Sequence, residues 1–265
     1  MNFTRGLLLT ILICAAGRTV QAQGILIVMK ETSDGTTATS RSQFDKDHLR
    51  IEARTKQGES ANIFDAQKQI FRMVNLDQKT YTELTKADME QIRGAMAQMQ
   101  EQLRNMPPEQ RAIAEQMMRA RGGAVPAAQQ EVKIQYRKTG SDKVGQWACT
   151  TYDGFRGQEK VESVCASDPK DFGLNASDFE IGRQLQQFLT SLTGLGAPQT
   201  ADQMFALGTG DDQGFSGVRL RRTTYRNGAV DSVKELVEFR RETFPASTFE
   251  VPAGFRKEAT PGRGR

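Results

Sequence analysis

The sequence is poor in the residues on which most enzyme chemistry depends: it has one histidine and three cysteines among 265 residues. A serine–histidine–acid triad would have to use that single histidine, His48, and no G-x-S-x-G or comparable nucleophile context accompanies it. Lys46-Asp47 before it and an alternating run after it predict a solvent-facing side chain at the start of a strand. Zinc is disfavoured by the same shortage, because one histidine and a disulfide-prone cysteine pair cannot supply the usual ligands. No apolar run is long enough to span a bilayer, so no transmembrane anchor is expected. A strong charge of one sign is also missing. The formal charge is +4, and much of it sits in 256–265, where Arg256, Lys257, Arg263 and Arg265 stand against Glu258. The rest is close to neutral, without the clustered basic face that a nucleic-acid partner requires.

The first 24 residues, MNFTRGLLLTILICAAGRTVQAQG, carry the order of a secretory leader. Arg5 supplies a short positive segment, Gly6 to Gly17 an apolar stretch, and Val20 and Ala22 the small-residue cleavage pattern. Cleavage between Ala22 and Gln23 is expected, giving a periplasmic or secreted protein. Cys14 follows Ile13 within the apolar run, which is a poor context for lipidation. Cys149 and Cys165 remain, and an oxidising compartment predicts one disulfide between them, with two buried free thiols as the alternative.

Residues 23 to about 84 read as short strands separated by turns. ILIVMKET (25–32) ends at Ser33-Asp34-Gly35, a hairpin signal, and LRIEA (49–53) alternates apolar and charged residues. In QIFRMVNL (69–76), Ile70, Val74 and Leu76 share one face while Phe71 and Met73 take the other, so something must pack on each side. The period then changes. Thr85 with Asp88 resembles a capping box, and Met89, Ile92, Met96, Met99 and Leu103 follow at helical spacing. Asn105-Met106-Pro107-Pro108 ends that helix, and Pro108 starts a second through Ile113, Met117 and Met118. The pair reads as a helical insertion at about 83–121, followed by a linker at 122–128. Its methionines suit either an adaptable apolar surface or an ordinary core-facing stripe.

Strand patterns resume at 132–136, 146–152 and 159–166. Asp153 to Gly157 reads as the intervening hairpin loop, and a register centred on Gly157 places Cys149 opposite Cys165 with Trp147 on the same face. A third helix is expected over 178–195 through Phe179, Leu185, Phe188, Leu189, Leu192 and Leu195, closed by Gly194 and Gly196. Asn227-Gly228 marks another hairpin. Its second arm, 232–243, fits a strand or a helix, with the strand favoured by the preceding turn. GTGDDQG (208–214) lacks the lysine and hydroxyl of a phosphate loop. Asp202, Asp211 and Asp212 lack the alternation of a calcium loop. Asp168 and Asp171 are explained by a turn around Pro169.

Three stretches, ANIFDAQKQIFRMVNLDQKTYTEL (61–84), KTGSDKVGQWACTTYDG (138–154) and FEVPAGFRKE (249–258), together resemble the bacterial exported family called domain of unknown function 4412. The chain departs from its pattern at Val164 or Cys165, where tryptophan is common, and at Phe255, where tyrosine is usual. Such families are similar in architecture to the periplasmic lipoprotein carriers. The resemblance implies a single LolA-like α+β domain over 23–256: a curved antiparallel sheet, an unclosed β-barrel, with amphipathic helices covering its concave face. Residues 257–265 are expected to be a disordered basic tail.

The function expected from these observations is a non-catalytic exported protein that holds a lipid or other hydrophobic ligand and needs no cofactor. The alternative is a structural or interaction protein of the cell envelope, with a protein partner and no ligand cavity. A hydrolase with an unrecognised carboxylate site is a third reading. Met89, Met96, Met99, Leu185, Phe188 and Leu192 are the candidate ligand-lining residues. The intact mass of the exported protein is expected to lack residues 1–22. Retention of Met1, or acylation at Cys14, contradicts the leader.

Overall fold

Tight turns set the topology. Asp34 and Gly35 have φ of 48° and 67°, and Asn227 and Gly228 have 53° and 78°. A two-residue hairpin of type I′ needs left-handed backbone at both positions, and Asp or Asn followed by Gly adopts it at low cost. The computed structural model describes residues 22–120, 134–190, 215 and 217–259. The first half contributes β1 (Ala22–Ser33), β2 (Thr36–Phe44), β3 (His48–Thr55), β4 (Gly58–Asp65), β5 (Ile70–Asn75) and β6 (Thr80–Thr85). The second contributes β7 (Gln135–Val144), β8 (Trp147–Arg156), β9 (Glu159–Ser167), β10 (Val218–Arg226), β11 (Ala229–Phe244) and β12 (Arg256–Lys257).

These strands form one curved, unclosed sheet in the order β12-β6-β5-β4-β3-β2-β1-β11-β10-β9-β8-β7. Every ladder is antiparallel except β12 on β6. The ladders of β1 to β6 with one another keep their register throughout. All the register shifts fall in ladders that involve β7 to β11. A bulge bends its strand and increases the local twist.

Alternation divides the apolar residues between two faces. On β1, Ile25, Ile27 and Met29 enter the main core, whereas Leu26 and Val28 pack on the opposite face with Phe244 and Phe249. The strands are so closely apposed here that a Cβ on Gly24 would lie 2.3 Å from the Phe44 carbonyl oxygen. The second face of the first half is covered by the segment after β11. A 3-10 turn at Ala246–Phe249 is followed by Val251 and Phe255, which pack on Ala61, Ile63 and Val74. The buried Arg50 guanidinium donates to the carbonyl oxygens of Thr248 and Glu250, each at 3.3 Å, and ties this strap to β3. At its end Lys257 donates to Glu83 at 2.8 Å. Burial raises the Glu83 pKa, but the hydrogen bonds from Lys257 and Arg72 outweigh it and hold the carboxyl below its usual range.

Residues 257–259, beyond the expected boundary at 256, are described, with Lys257 inside β12, and residues 260–265 lie outside the described part. The cause is the free edge of β6, which offers backbone partners at Thr80 and Tyr81. The ambiguous 232–243 is strand, within β11. The leader lies outside the described residues, apart from Ala22 at the start of β1.

Cys149 and Cys165 form a disulfide, with their Cα atoms 5.4 Å apart. The expected register is corrected. Residues 153–156 belong to β8 and the turn is at 157–158, and a bulge between Gly154 and Phe155 sets Cys165 opposite Thr151. The bridge is therefore diagonal, with both sulfurs in the main core. His48 also departs from expectation. It is only partly exposed, it lies 3.1 Å from Asp45 Oδ1, and its ring stacks on Phe249 at 5.2 Å. The strap supplies this cover from some 200 residues away, where no local pattern could reveal it.

Thr85 caps the first helix reciprocally with Asp88, as the sequence predicts. This helix is α1 (Lys86–Asn105), followed by α2 (Pro108–Ala120), and α3 (Glu180–Thr190) comes later. Most of α1 and α2 does not supply the expected cover of the sheet. Met89 and Ile92 reach the main core, but Met99 and Leu103 are half-buried, and Ile113 and Met117 are 57 % and 62 % exposed. Arg111 instead joins the two helices, donating to the Leu103, Arg104 and Met106 carbonyl oxygens.

Replacing Arg50 by alanine removes charge-assisted hydrogen bonds to two carbonyls of the strap. A loss of about 2 to 3 kcal/mol is expected in urea unfolding, together with faster amide exchange at residues 256–258.

Candidate functional site

The third helix carries its apolar residues at spacings of three and four, so Ile181, Leu185, Phe188 and Leu189 fall on one side and enter the main core. Phe188 sets its ring 5.4 Å from that of Phe64 on β4. The start of α3 is pinned to the sheet by Arg241 of β11, which donates to the Gly173 carbonyl oxygen at 2.6 Å and to both carboxylate oxygens of Asp178. Asn175 and Asp178 form a reciprocal cap on the turn leading into the helix.

A cleft of about 130 Å³ lies where the end of α3 meets the first turns of α1 and the β4–β5 turn. It is lined by Gln69, Lys86, Met89, Arg93, Gln187 and Phe188. Met89 and Phe188 supply the apolar surface. Lys86, Met89 and Arg93 are three and four residues apart, so α1 presents all of them on one face. Gln69 has φ of 53°, and its side chain donates to the Ala66 carbonyl oxygen at 2.7 Å, which fixes the turn beneath the cleft. The result is an apolar notch with cationic and amide groups around it. Its volume compares with the ~150 Å³ cavity that accepts benzene and lies below the ~300 Å³ at which pockets for drug-sized ligands begin. It accommodates the end of an alkyl chain or one apolar side chain, not a whole lipid.

The sequence-derived lining residues separate. Met89 and Phe188 meet at the cleft. Leu185 does not line it and is core, 1 % exposed. Met99 is half-buried ten residues further along α1, about 15 Å from Met89 along the axis. The side chain of Met96 and the whole of Leu192 lie outside the described part. Gln69, Lys86, Arg93 and Gln187 were not identified from sequence. The face shared by Lys86, Met89 and Arg93 was a usable signal, whereas nothing local links Gln69 to Gln187.

The other candidates sit elsewhere. Asp168 caps a 3-10 turn by accepting from Lys170 N, and Asp171 accepts from Ser167. The loop 208–214 and Asp202 lie outside the described part. Among the described residues no group of three or more His, Cys, Asp or Glu is placed to hold a metal ion, and no helix is long and apolar enough to cross a membrane.

No family model matches the chain, and no curated protein matches it. Among solved structures it is similar to an uncharacterised conserved protein from Thermus thermophilus, at 8 % identity and a TM-score of 0.43, over 91 % of this chain and 92 % of that one. It is also similar to MucB in complex with MucA(peri), at 10 % identity and a TM-score of 0.36, over 88 % of this chain and 54 % of that one. The chain therefore spans about half the length of the MucB chain. At these scores neither likeness bears on the site, which rests on its own geometry.

Core and half-buried residues differ in what truncation costs. Leu185→Ala is expected to lose about 2 to 5 kcal/mol, and Met99→Ala about 1 kcal/mol. Urea denaturation of both variants checks this, and equal losses contradict the separation.

Proposed function

We propose that this is an exported, non-catalytic binding protein that takes the apolar end of a lipid-like ligand into the cleft between α1 and α3. The single observation that carries the reading is the meeting of Met89 and Phe188, remote in sequence, beside Lys86 and Arg93. An apolar notch next to two cations suits an alkyl chain attached to an acidic head, because burial of the chain and charge-assisted contact with the head are satisfied together. The leader pattern and the Cys149–Cys165 disulfide support export, since such bridges persist in oxidising compartments. Resemblance to domain of unknown function 4412 and to the lipoprotein-carrier architecture supports the same reading, with the concave side of the sheet and its helices as the ligand-bearing region.

A second reading, an envelope interaction protein, is favoured by the small volume of the cleft and by the exposed Ile113 and Met117 of α2. Here the notch would receive an apolar side chain of a protein partner.

The two readings separate with a fluorescent long-chain fatty acid and the alcohol of equal chain length. Binding of the acid is expected, weakened about three- to tenfold by Arg93→Gln at unchanged thermal stability, while the alcohol is unaffected. Phe188→Ser is expected to abolish binding of both. If wild-type protein binds neither probe, the ligand-carrying reading fails and the interaction reading stands.

A further inference from the structure

One end of the sheet is left open. β7 is the last strand in the order, and among the described strands β8 is its only ladder partner. Alternate residues of such an edge strand direct their N–H and C=O groups outward, where another chain can pair with them. β7 contains no proline to interrupt that row, and apart from Tyr136 and Val144 it is exposed throughout.

The side chains of β7 decide what pairs there. In a regular strand, residues five apart point to opposite faces. The register of β7 on β8 shifts between Lys138 and Gly140, so Lys138 stands opposite Tyr152 and Lys143 opposite Ala148. Tyr152 and Ala148 are an even number of residues apart on β8 and share a face, so the bulge turns Lys138 and Lys143 to a common face as well. Their separation along the edge is ~13 Å, the rise of four strand residues. Both are exposed, and neither ammonium is paired with a described residue. Asp142, the one acid of β7, falls on the opposite face with Cys149 and is held by Arg221. Arg137 lies over the Phe155 ring at 4.9 Å. Lysine on an edge guards against indiscriminate pairing. A second copy of β7 would add its own Arg137, Lys138 and Lys143 to the same edge, whereas opposite charges across a ladder stabilise it. The guard therefore opposes a second copy and favours an acidic chain.

We propose that β7 is a docking edge for an extended acidic segment of a protein partner, which adds to the sheet as a further strand and sets two carboxylates, four residues apart, against Lys138 and Lys143. Backbone pairing supplies the attachment, and the two lysines supply the selectivity. The edge lies on different elements from the α1–α3 cleft, so the proposal stands whatever the cleft binds.

The test titrates the isotope-labelled full mature chain by NMR with polythreonine peptides of the length of β7, ten residues. One peptide carries two glutamates four apart, and the second carries them three apart, which puts them on opposite faces at the same net charge. The first peptide is also made with alternate residues N-methylated, in both phases. Binding of the first peptide is expected to shift the amides of residues 135–144, to be about fivefold weaker for the second, and to be abolished by N-methylation in at least one phase. Lys138→Glu and Lys143→Glu together are expected to weaken it about tenfold and to confer binding of the lysine peptide of the same spacing, with circular dichroism confirming the fold. Equal binding of the two spacings, binding indifferent to N-methylation or to the double substitution, or no shift in 135–144 overturns the proposal. So does sedimentation showing that wild-type chains self-associate through β7, which makes a second copy the occupant. Full protection of the β7 amides from exchange in the free protein overturns it too, because the chain then covers its own edge.

Discussion

The pairing of β1 with β11 is the interaction on which the rest of the sheet depends. β1 to β6 form one meander and β7 to β11 another, and among the described strands the two meet in the sheet along this seam. It joins residues about 200 positions apart over the full length of β1. Closing so long a loop costs entropy before any contact repays it, so the seam needs many contacts at once. It has them: Ile25 and Ile27 on one face, Leu26 and Val28 on the other, and a bare Gly24 where Phe44 and Phe244 come too close for a side chain. Gln23, the residue expected to begin the mature chain, already pairs with Thr243. The ladder extends one residue beyond the expected cleavage point, with Ala22 opposite Phe244.

Both faces of this sheet need cover, and they obtain it differently. The face bearing the main core receives α3 and the first turns of α1. The other face of the first half receives the strap after β11, held by Arg50, by the stacking of Phe249 on His48 and by the β12–β6 pairing. The candidate cleft lies at the margin of the first arrangement, where the cover thins between two helices. A binding site is favoured there for a physical reason: complete packing leaves no room for a ligand, while an open sheet offers no walls. The α1–α2 hairpin continues away from this margin with Ile113 and Met117 exposed.

Much of this was legible in local pattern. The hairpins at Asp34-Gly35 and Asn227-Gly228, the Thr85–Asp88 cap and the breaks at Pro107-Pro108 depend on neighbours within a few residues, and the structure contains them where they were read. β7 was largely missed because it is an edge strand exposed along most of its length, so KTGSDKV carries no apolar alternation to detect. β2 is built mainly from Thr, Ser and Arg and hides for a similar reason. The cysteine pair was correct while its register was not, since a bulge at Gly154 leaves no mark in the spacing.

The sequence by itself therefore determined the hairpin turns at Asp34-Gly35 and Asn227-Gly228, the capped start of α1, the break before α2 and the cysteine partners, because each is a short-range consequence of backbone preference or, for the cysteines, of their number. Tertiary structure alone decided where the ladders shift register, that the C-terminal strap covers His48, and that Leu185 is core while Phe188 borders a cleft. Those outcomes depend on contacts between residues far apart in the chain. A leucine and a phenylalanine three positions apart on one helix look alike in a hydrophobic pattern. They differ only in what the rest of the chain places in front of them.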